Sequence, residues 1–348
     1  MRLTSIRSLF FAAFVALAAT LASPARAAAG TTHYVDNVRA CDGLSPCYTT
    51  IMEAVGAAAP SDVIEVFPGV YPEAVFFDTG KESILLRAHA DVTETPPGSS
   101  VVRPPGALLP VIQGTITLEA SGVQVSSFVL EGSVTNDSAF GALDAVIDRN
   151  VIMGGDFALQ FFHCLSSRVT NNQVLSGRIK IGGDPAHCLL QGNVVHGGSL
   201  EIGDVDRNCS GNVVHGNVVH GGDIRFNTCR LRDNKIEGNR VDGGSIIAAA
   251  VFASEGNLVR GNVVRGGGIR LSSVNTPLGD NTVESNFVSG SAGDGILLSS
   301  PYGGASVVKT NTSVVNVGCD INDTTPPGFT PNTWTDNRFV TKCGAADE

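Results

Sequence analysis

The chain has 348 residues, of which 43% are hydrophobic and 16% charged, and its formal net charge at pH 7 is −10. An acidic chain of this kind is poorly suited to general binding of nucleic acids or anionic membranes, because both attract basic surfaces. We therefore expect no nucleic-acid partner and no membrane partner, and an acidic polysaccharide would need a local basic patch or a bridging cation.

Residues 1–27 have the pattern of a secretory signal peptide. Arg2 and Arg7 give a basic start, residues 9–21 are almost wholly apolar, and Ala25-Arg26-Ala27 is a small-x-small cleavage site. The apolar run is short for a membrane span. Loss of this segment removes Arg2, Arg7 and Arg26 and no acidic residue, which lowers the formal charge from −10 to −13. We expect the mature chain to be secreted or periplasmic.

Residues 28–60 are predicted to form an N-terminal strand and a capping helix. The helix is predicted over 49–59, because Thr50 and Glu53 have the spacing of a capping box and Ile51 and Val55 fall on one face. A helix at this position would cover the apolar end of a stacked core. Further along, residues 93–106 are rich in proline and serine and are predicted to form a loop.

The dominant feature of the chain is a short repeat that extends over its second half. Its core is an asparagine, an apolar residue two later, a glycine five later, and an apolar pair at seven and nine. A period of 21–26 residues without a helix-length apolar stripe predicts a solenoid of β-rungs, in which matching positions form columns. The repeat asparagines are Asn150, Asn172, Asn193, Asn217, Asn239, Asn262, Asn286, Asn311 and Asn337.

Two segments and the repeat resemble a known superfamily. Tyr48-Thr-Thr-Ile-Met-Glu-Ala-Val and Asp62-Val-Ile-Glu-Val-Phe-Pro-Gly-Val-Tyr resemble the opening of right-handed parallel β-helix proteins of the pectate-lyase-like superfamily, and the N-x-V-x-x-G-G rungs resemble their repeat. The resemblance implies an all-β fold, a single-stranded right-handed parallel β-helix over residues 61–348. That superfamily holds lyases, hydrolases, esterases, epimerases and non-catalytic adhesins, so the resemblance leaves the function open.

The repeated asparagines have a structural interpretation. Their side-chain amides can bond to one another and to the turn backbone from rung to rung, and asparagine tolerates the left-handed conformation that tight corners need. We therefore predict an asparagine ladder and not a glycan or metal site.

Eight cysteines in an exported chain indicate disulfides. Adjacent rungs lie about 4.7–4.9 Å apart, within the Cα separation that a disulfide tolerates. We expect Cys41 to pair with Cys47 and Cys319 with Cys343. For the middle four, the preferred pairs are Cys164 with Cys188 and Cys209 with Cys229, but their different offsets from the repeat asparagine leave other connectivities open.

The candidate site lies six and eight residues after the repeat asparagines. If the apolar pairs face inward, the side chains at these offsets share one exposed sheet face, within about 10–15 Å. β-Elimination from a uronic acid needs a base for the C5 proton and positive charge beside the carboxylate. The alternative is a ladder of opposite charges that keeps the face soluble. We predict catalytic roles for Lys180, Glu201 and Arg225, and substrate binding by Arg178, Asp223 and Arg270.

Histidines form a second cluster. His196 and His220 occupy the same repeat position on adjacent rungs, and His215 lies in the preceding strand. Stacked imidazoles can bind a metal, but we expect no carboxylate or cysteine in that register at metal-ligand spacing, and therefore solvated histidines and no metal site. We expect no resident cofactor, with calcium as the alternative through Asp204-Val-Asp206.

One short segment resembles part of an enzyme signature. Asp184-Pro-Ala-His187 is similar to the Asp-Pro-His-Asp signature of mannuronan epimerases, although Ala186 interrupts it and Cys188 takes the place of the second acid. In contrast, the tryptophan- and histidine-containing strand motifs of pectate lyases and the Gly-Asp-x-Asp-Phe-Ile-Phe-Gly run of pectin methylesterases are missing from the sequence. These absences weaken the enzymatic interpretations.

Three interpretations of function follow from the sequence. The preferred one is a secreted, monomeric protein that binds or processes a polysaccharide on the sheet face over residues 178–270. The second is a non-catalytic surface or envelope scaffold. The third is a uronic-acid lyase or epimerase with Lys180 or His187 as the base.

Overall fold

The structure is a computed structural model that describes residues 30–38, 40–89, 109–136, 143–154, 157–161, 164–204 and 207–344. The predicted signal peptide and the loop predicted over 93–106 lie outside these residues. Each rung of the described chain contributes short strands to three parallel sheets, named here sheets I, II and III in the order in which the chain visits them. The prediction of a β-solenoid is therefore confirmed.

Sheet I is the first of the three faces, and its strands pair in parallel from one rung to the next. In chain order from the N-terminus its strands are Thr32–Val35, Cys47–Tyr48, Val63–Val66, Leu85–Ala88, Gln124–Ser126, Val146–Asp148, Arg168–Thr170, Leu189–Gln191, Val213–His215, Lys235–Glu237, Leu258–Arg260, Thr282–Glu284, Val307–Lys309 and Thr333–Thr335.

Sheet II follows sheet I after a tight corner. Its strands are Val70–Tyr71, Val111–Ile112, Val129–Leu130, Val151–Ile152, Gln173–Val174, Val194–His196, Val218–His220, Arg240–Asp242, Val263–Arg265, Phe287–Ser289 and Thr312–Val314.

Sheet III carries the apolar pairs of the repeat and completes the rung. Its main strands are Val75–Phe77, Ile116–Leu118, Val134–Asn136, Phe157–Phe161, Arg178–Ile181, Leu200–Ile202, Ile224–Arg232, Ile246–Glu255, Ile269–Ser273, Ile296–Ser299, Ile321–Asp323 and Lys342–Gly344. Two further strands, Asn208–Ser210 and Leu278–Gly279, pair with the long strands Ile224–Arg232 and Ile246–Glu255.

The core is a continuous apolar column inside the coil. On sheet III, Leu200 and Ile202 are fully buried, and Val195 and Val214 are fully buried on sheets II and I. Alternate residues of each strand point to opposite faces, so the residue between two buried ones faces solvent. The inward orientation of the apolar pairs, on which the candidate site depends, is confirmed for this rung.

The asparagine ladder is confirmed. Asn193 donates from its backbone N and from its Nδ2 to the Oδ1 of Asn217, both at 2.9 Å, and the Nδ2 of Asn217 donates to the carbonyl oxygen of Leu190 at 2.9 Å. The same exchange runs from Asn150 to Asn337. A second ladder runs through Asn212, Asn234, Asn257 and Asn281. These amides satisfy the buried corner backbone, which would otherwise lose hydrogen bonds on folding.

The conformational reason given for these asparagines was wrong by one residue. The left-handed residue is the one before each ladder asparagine, as in Arg149 with φ 56°, Gly192 with φ 65° and Gly216 with φ 63°. The asparagine itself is selected because its amide can both donate and accept along the stack.

The glycine five residues after the asparagine allows close approach of successive rungs. A Cβ added at Gly222 would collide with the carbonyl oxygen of Gly198, and one added at Gly244 with that of Gly222. No side chain larger than a hydrogen fits at this corner, which lies between sheets II and III.

All four predicted disulfides are present. Cys41 pairs with Cys47, Cys164 with Cys188, Cys209 with Cys229 and Cys319 with Cys343, with Cα–Cα separations of 6.0, 6.3, 6.0 and 6.0 Å. The last three bonds join neighbouring rungs, as the spacing predicted.

The predicted helix is also present, with shorter bounds. It spans Ile51–Ala57, and Thr50 and Glu53 form the capping box. Ile51 and Val55 are buried against the first strands. The division into a cap over 28–60 and a β-helix over 61–348 stays a prediction. Within the described ranges no helix is long and apolar enough to span a membrane.

Candidate functional site

The predicted column is present on the outer face of sheet III. Parallel pairing places Lys180 opposite Glu201, Glu201 opposite Arg225, Arg225 opposite Ile247, and Ile247 opposite Arg270. These residues alternate with buried ones along their strands. The residues eight after the repeat asparagine therefore form one file of side chains, at about 4.7–4.9 Å per rung.

Three charged members of the column have ion-pair partners beside it. The Nζ of Lys180 lies 3.1 Å from the Oδ1 of Asp204. The Nη2 of Arg225 lies 2.6 Å from the Oδ2 of Asp223. Glu201 accepts from the Nη1 of Arg178 at 3.0 Å. The positive charges of this region are thus balanced by carboxylates within the protein.

The residues six after the repeat asparagine form a series of hydrogen bonds at the corner between sheets II and III. The backbone N of Asp223 donates to the Oγ of Ser199 at 3.0 Å, and that of Ser245 donates to the Oδ1 of Asp223 at 2.8 Å. The backbone N of Gly268 continues the series by donating to the Oγ of Ser245 at 3.1 Å. Asp223 therefore holds a corner in place while it neutralises Arg225.

Two open grooves flank this corner along sheet III. The first, with a volume of about 470 Å³, is lined by Arg178, Ser199 and Glu201 together with the corner glycines. The second, of about 340 Å³, is lined by Asp223, Ser245, Arg270, Asp294 and the neighbouring glycines. Because glycine has no side chain beyond hydrogen, the glycines of this corner leave open the space of both grooves.

Arg270 differs from the other cations of the column. It faces solvent in the second groove, with Ile247 and Leu297 as its register neighbours. The described residues place no carboxylate within ion-pair distance of its guanidinium. Arg270 is thus the one predicted site residue that presents uncompensated positive charge to a ligand.

Two acidic residues of the site were not predicted as part of it. Asp204 pairs with Lys180 and accepts from the backbone N of Gly183 at 2.7 Å. Asp294 accepts from the backbone N of Cys319 at 2.8 Å and from the Nδ2 of Asn322 at 2.9 Å. Asp294 was missed because the repeat loosens after Asn286, so its offset gave no signal.

The epimerase-like segment forms a corner between sheets III and I. Asp184 accepts from the backbone N of Asn208 at 2.8 Å and lies 3.5 Å from the Nη1 of Arg207. His187 has φ 57° and donates its backbone N to the carbonyl oxygen of Ser210 at 3.0 Å. Both residues take part in the contacts that join neighbouring rungs.

The histidine pair lies on sheet II, away from the grooves. The rings of His196 and His220 stack with centroids 5.1 Å apart. A carboxylate does share their register, because Asp242 pairs with His220 on the next rung and lies 3.4 Å from its Nδ1. Even so, no group of three or more histidine, cysteine and acidic residues in the described ranges is arranged to hold a metal ion.

No protein-family model matches the chain, and no curated protein matches it. Among solved structures, a variant catalytic domain of a GH87 α-1,3-glucanase in complex with nigerose superposes with a TM-score of 0.57 at 9% identity, over 84% of this chain and 64% of that domain. The same catalytic domain without the substitution gives 0.55 at 10% identity, with the same coverage. The mannuronan C-5 epimerase A-module of Azotobacter vinelandii gives 0.45 at 12% identity, over 84% of this chain and 91% of that module.

These identities are evidence of the fold alone. The three parallel sheets and the likeness to the glucanase domain show the fold of a right-handed parallel β-helix. The chain spans 64% of the glucanase domain that it matches.

Proposed function

We propose that this chain is an exported β-helix protein that binds or processes a polysaccharide along the outer face of sheet III. The observation that carries the proposal is the pair of open grooves on that face, which follow one another along the rungs and are lined by Arg178, Glu201 and Arg270. A linear polymer suits a surface that repeats from rung to rung. The solved neighbours include a glucanase bound to nigerose, which agrees with a carbohydrate ligand.

The geometry favours binding over catalysis on this face. A general base at position 180 needs a side chain that is free to reach the substrate proton, whereas the Nζ of Lys180 is held 3.1 Å from the Oδ1 of Asp204. Glu201 and Arg225 are likewise engaged, with Arg178 and Asp223. Arg270, which is exposed in its groove, is better placed to donate hydrogen bonds to sugar oxygens.

A non-catalytic surface scaffold is the second candidate. It is supported by the paired charges of the other faces, such as Arg260 with Glu237 on sheet I and Arg240 with Asp242 on sheet II. A face that only needs to remain soluble would carry the same pairs. A uronic-acid lyase or epimerase is a weaker third candidate, since Lys180 is engaged by Asp204 and His187 lies at the corner between sheets III and I, away from the two grooves.

A screen of the mature chain tests the proposal. The protein is incubated with α-1,3-glucan and with uronic-acid polymers, with and without calcium, and both binding and the ultraviolet absorbance of unsaturated products are measured. We expect binding that Arg270→Ala weakens and that Arg260→Ala, a matched change on sheet I, leaves unchanged. Absence of both binding and turnover would leave the scaffold as the better candidate. Turnover that Lys180→Ala and Arg225→Ala do not reduce would exclude the predicted catalytic residues.

A further inference from the structure

Four exposed apolar side chains lie at the corner where sheet III passes into sheet I. Phe252, Val274, Tyr302 and Phe329 are 37%, 60%, 47% and 47% exposed. Each belongs to a different rung. Phe252 lies within the sheet III strand Ile246–Glu255, and the other three follow the strands Ile269–Ser273, Ile296–Ser299 and Ile321–Asp323. We name these four residues the apolar ridge.

Hydrogen bonds join the neighbouring corners that carry the ridge, including one of 3.1 Å from the Oγ of Ser300 to the carbonyl oxygen of Thr276 between the middle two corners. The backbone N of Val274 donates to the carbonyl oxygen of Ala250 at 3.1 Å, two residues before Phe252. The backbone N of Gly304, two residues after Tyr302, donates to Thr330 at 2.8 Å, directly after Phe329.

Tyr302 and Phe329 lie on adjacent rungs at the C-terminal end of the ridge. A Cβ added at Gly303 would lie 2.7 Å from the Cβ of Phe329, so the backbone next to Tyr302 lies against the Phe329 side chain. The four side chains thus lie on successive rungs of one corner, and rungs are about 4.7–4.9 Å apart.

The stability of the core does not require these side chains to be apolar. Single exposed apolar residues are common on protein surfaces, but a contiguous exposed stripe marks a binding surface more often than chance. The same corner is polar on earlier rungs, where Asp184 and Arg207 form an ion pair. The ridge begins at Phe252, whose ring lies 5.2 Å beneath the guanidinium of Arg230.

The ridge ends in a cavity of about 660 Å³. Its lining combines apolar groups, Pro326, Pro327 and Phe329, with the hydroxyls of Thr324 and Thr325. Apolar walls with a few convergent polar groups are typical of sites for small molecules and single sugar units.

We infer that the apolar ridge binds the sugar faces of an uncharged polysaccharide whose chain continues from the second sheet III groove. This inference rests on the proposed function. The strands that line the groove with Arg270 and Leu297 lead directly into the corners with Val274 and Tyr302, so a polymer lying across that groove reaches the ridge. Aromatic rings offer rigid, flat apolar surface against which the apolar face of a sugar ring packs.

Charge selects the class of polysaccharide. A uronic-acid polymer carries one carboxylate per sugar and needs matching cations to replace its hydration. The sheet III cations Lys180 and Arg225 are engaged by protein carboxylates, and the mature chain has a large negative charge. Arg270 in the second groove is uncompensated, but a single cation does not match one carboxylate per sugar. An uncharged polymer meets no such cost, so the ridge and the groove together fit a neutral glycan.

The test compares ridge variants with a matched aromatic control. Phe252→Ser, Tyr302→Ser and Phe329→Ser are made singly and together, and Phe287→Ser is the control, because Phe287 is also 37% exposed but lies on sheet II. Binding is measured by pull-down on α-1,3-glucan and by affinity electrophoresis in dextran, glucomannan and alginate. Thermal unfolding checks that each variant is folded.

We expect the wild-type chain to bind a neutral glycan more tightly than alginate. Each ridge substitution should weaken that binding roughly two- to tenfold, as the loss of an aromatic contact does, with Phe287→Ser unchanged and Tyr302→Phe close to wild type. Neutral-glycan binding that survives the triple substitution would overturn the ridge while the proposed function stands, and so would preference for alginate. Retention of no polysaccharide at all would overturn both. A concentration-dependent dimer that the triple substitution abolishes would instead assign the ridge to a second copy of the chain.

Discussion

The charged faces of sheets I and III look alike in sequence but differ in structure. On sheet I, Arg260 lies between Glu237 and Glu284 on the neighbouring rungs, at 2.6 and 3.8 Å, and Lys309 continues the file with a 3.1 Å contact to Glu284. These ion pairs join successive rungs along the column, so its charged side chains are paired with one another.

On sheet III the charged residues of the column pair with residues outside it. Arg225 pairs with Asp223 on its own rung, whereas the pairs Lys180–Asp204 and Arg178–Glu201 join neighbouring rungs. The glycine corner beside them leaves open grooves, and Arg270 stands in one of these without a carboxylate partner in the described chain. Alternating charge along a column therefore does not distinguish the two faces. The open grooves beside the charged residues of sheet III do.

The largest effect on stability is expected at a buried asparagine of the ladder, because the ladder holds together the rungs that carry both faces. Asn217→Ala removes the acceptor of Asn193 and the donor to Leu190, and leaving buried polar groups unpaired costs about 1–3 kcal/mol each. We expect a loss of at least about 3 kcal/mol in the free energy of unfolding, measured by urea denaturation. Asn208→Ala at an exposed position is the control and should cost far less. Equal losses for both would contradict the structural role of the ladder.

The glycine corner that distinguishes sheet III can be tested directly. Gly222→Ala places a methyl group against the carbonyl oxygen of Gly198, and overpacking of this kind costs about 1–3 kcal/mol. Calorimetric unfolding should show a lower Tm. In the helix, Gly56→Ala meets no neighbouring atom and should be neutral or stabilising, because alanine is the better helix former. A Gly222→Ala protein as stable as wild type would remove the proposed reason for the grooves.

A buried carboxylate near the N-terminal end of the coil makes the stability of the fold depend on pH. Burial of Asp62 acts to raise its pKa, but the hydrogen bonds from His33, Ala59 and Thr31 outweigh it, so the pKa lies below the ordinary value of 3.8. A lowered folded-state pKa stabilises the fold above the unfolded-state pKa, and this contribution is lost as the pH falls below about 4.

Substitution isolates that contribution. Asp62→Asn should lower the free energy of unfolding at neutral pH and flatten its decrease on acidification, measured by urea denaturation between neutral pH and about pH 3. Glu237→Gln on sheet I serves as the exposed comparison. An Asp62→Asn protein with the same acid sensitivity as wild type would assign that sensitivity to other carboxylates, such as Asp320, whose pKa is also lowered.

The smallest effects separate the two charged faces from one another. Arg260→Ala should cost about 0.2–1 kcal/mol of stability, the range for exposed ion pairs, and should leave glycan binding unchanged. Arg270→Ala should have almost no effect on stability but should weaken glycan binding. The reverse outcome, in thermal unfolding and affinity electrophoresis, would show that sheet I is the functional face.

The stacked architecture was predictable because each rung repeats the same pattern of residues. The repeat asparagines and the inward apolar pair recur at constant offsets, so the ladder and the column through Lys180 and Arg225 follow from spacing alone. Spacing also predicted the disulfides Cys41–Cys47 and Cys319–Cys343, whereas for the middle four cysteines it gave only a preferred pairing, which the structure then decided. The register of Asp242 with His220 was readable in the same way and was overlooked.

By itself, the sequence determined the coil, its ladders and which residues share a column. The reason is that residues one repeat apart in the sequence become neighbours when the rungs stack. Only the tertiary structure decided which charges are already neutralised, as Lys180 is by Asp204, and which stand open, as Arg270 does. It also decided that Tyr302 and Phe329, which occur at unequal offsets on irregular corners, come together in one ridge. The corners differ in length from rung to rung, so contacts between their side chains do not recur at a fixed spacing. The spacing of the sequence therefore could not predict these contacts.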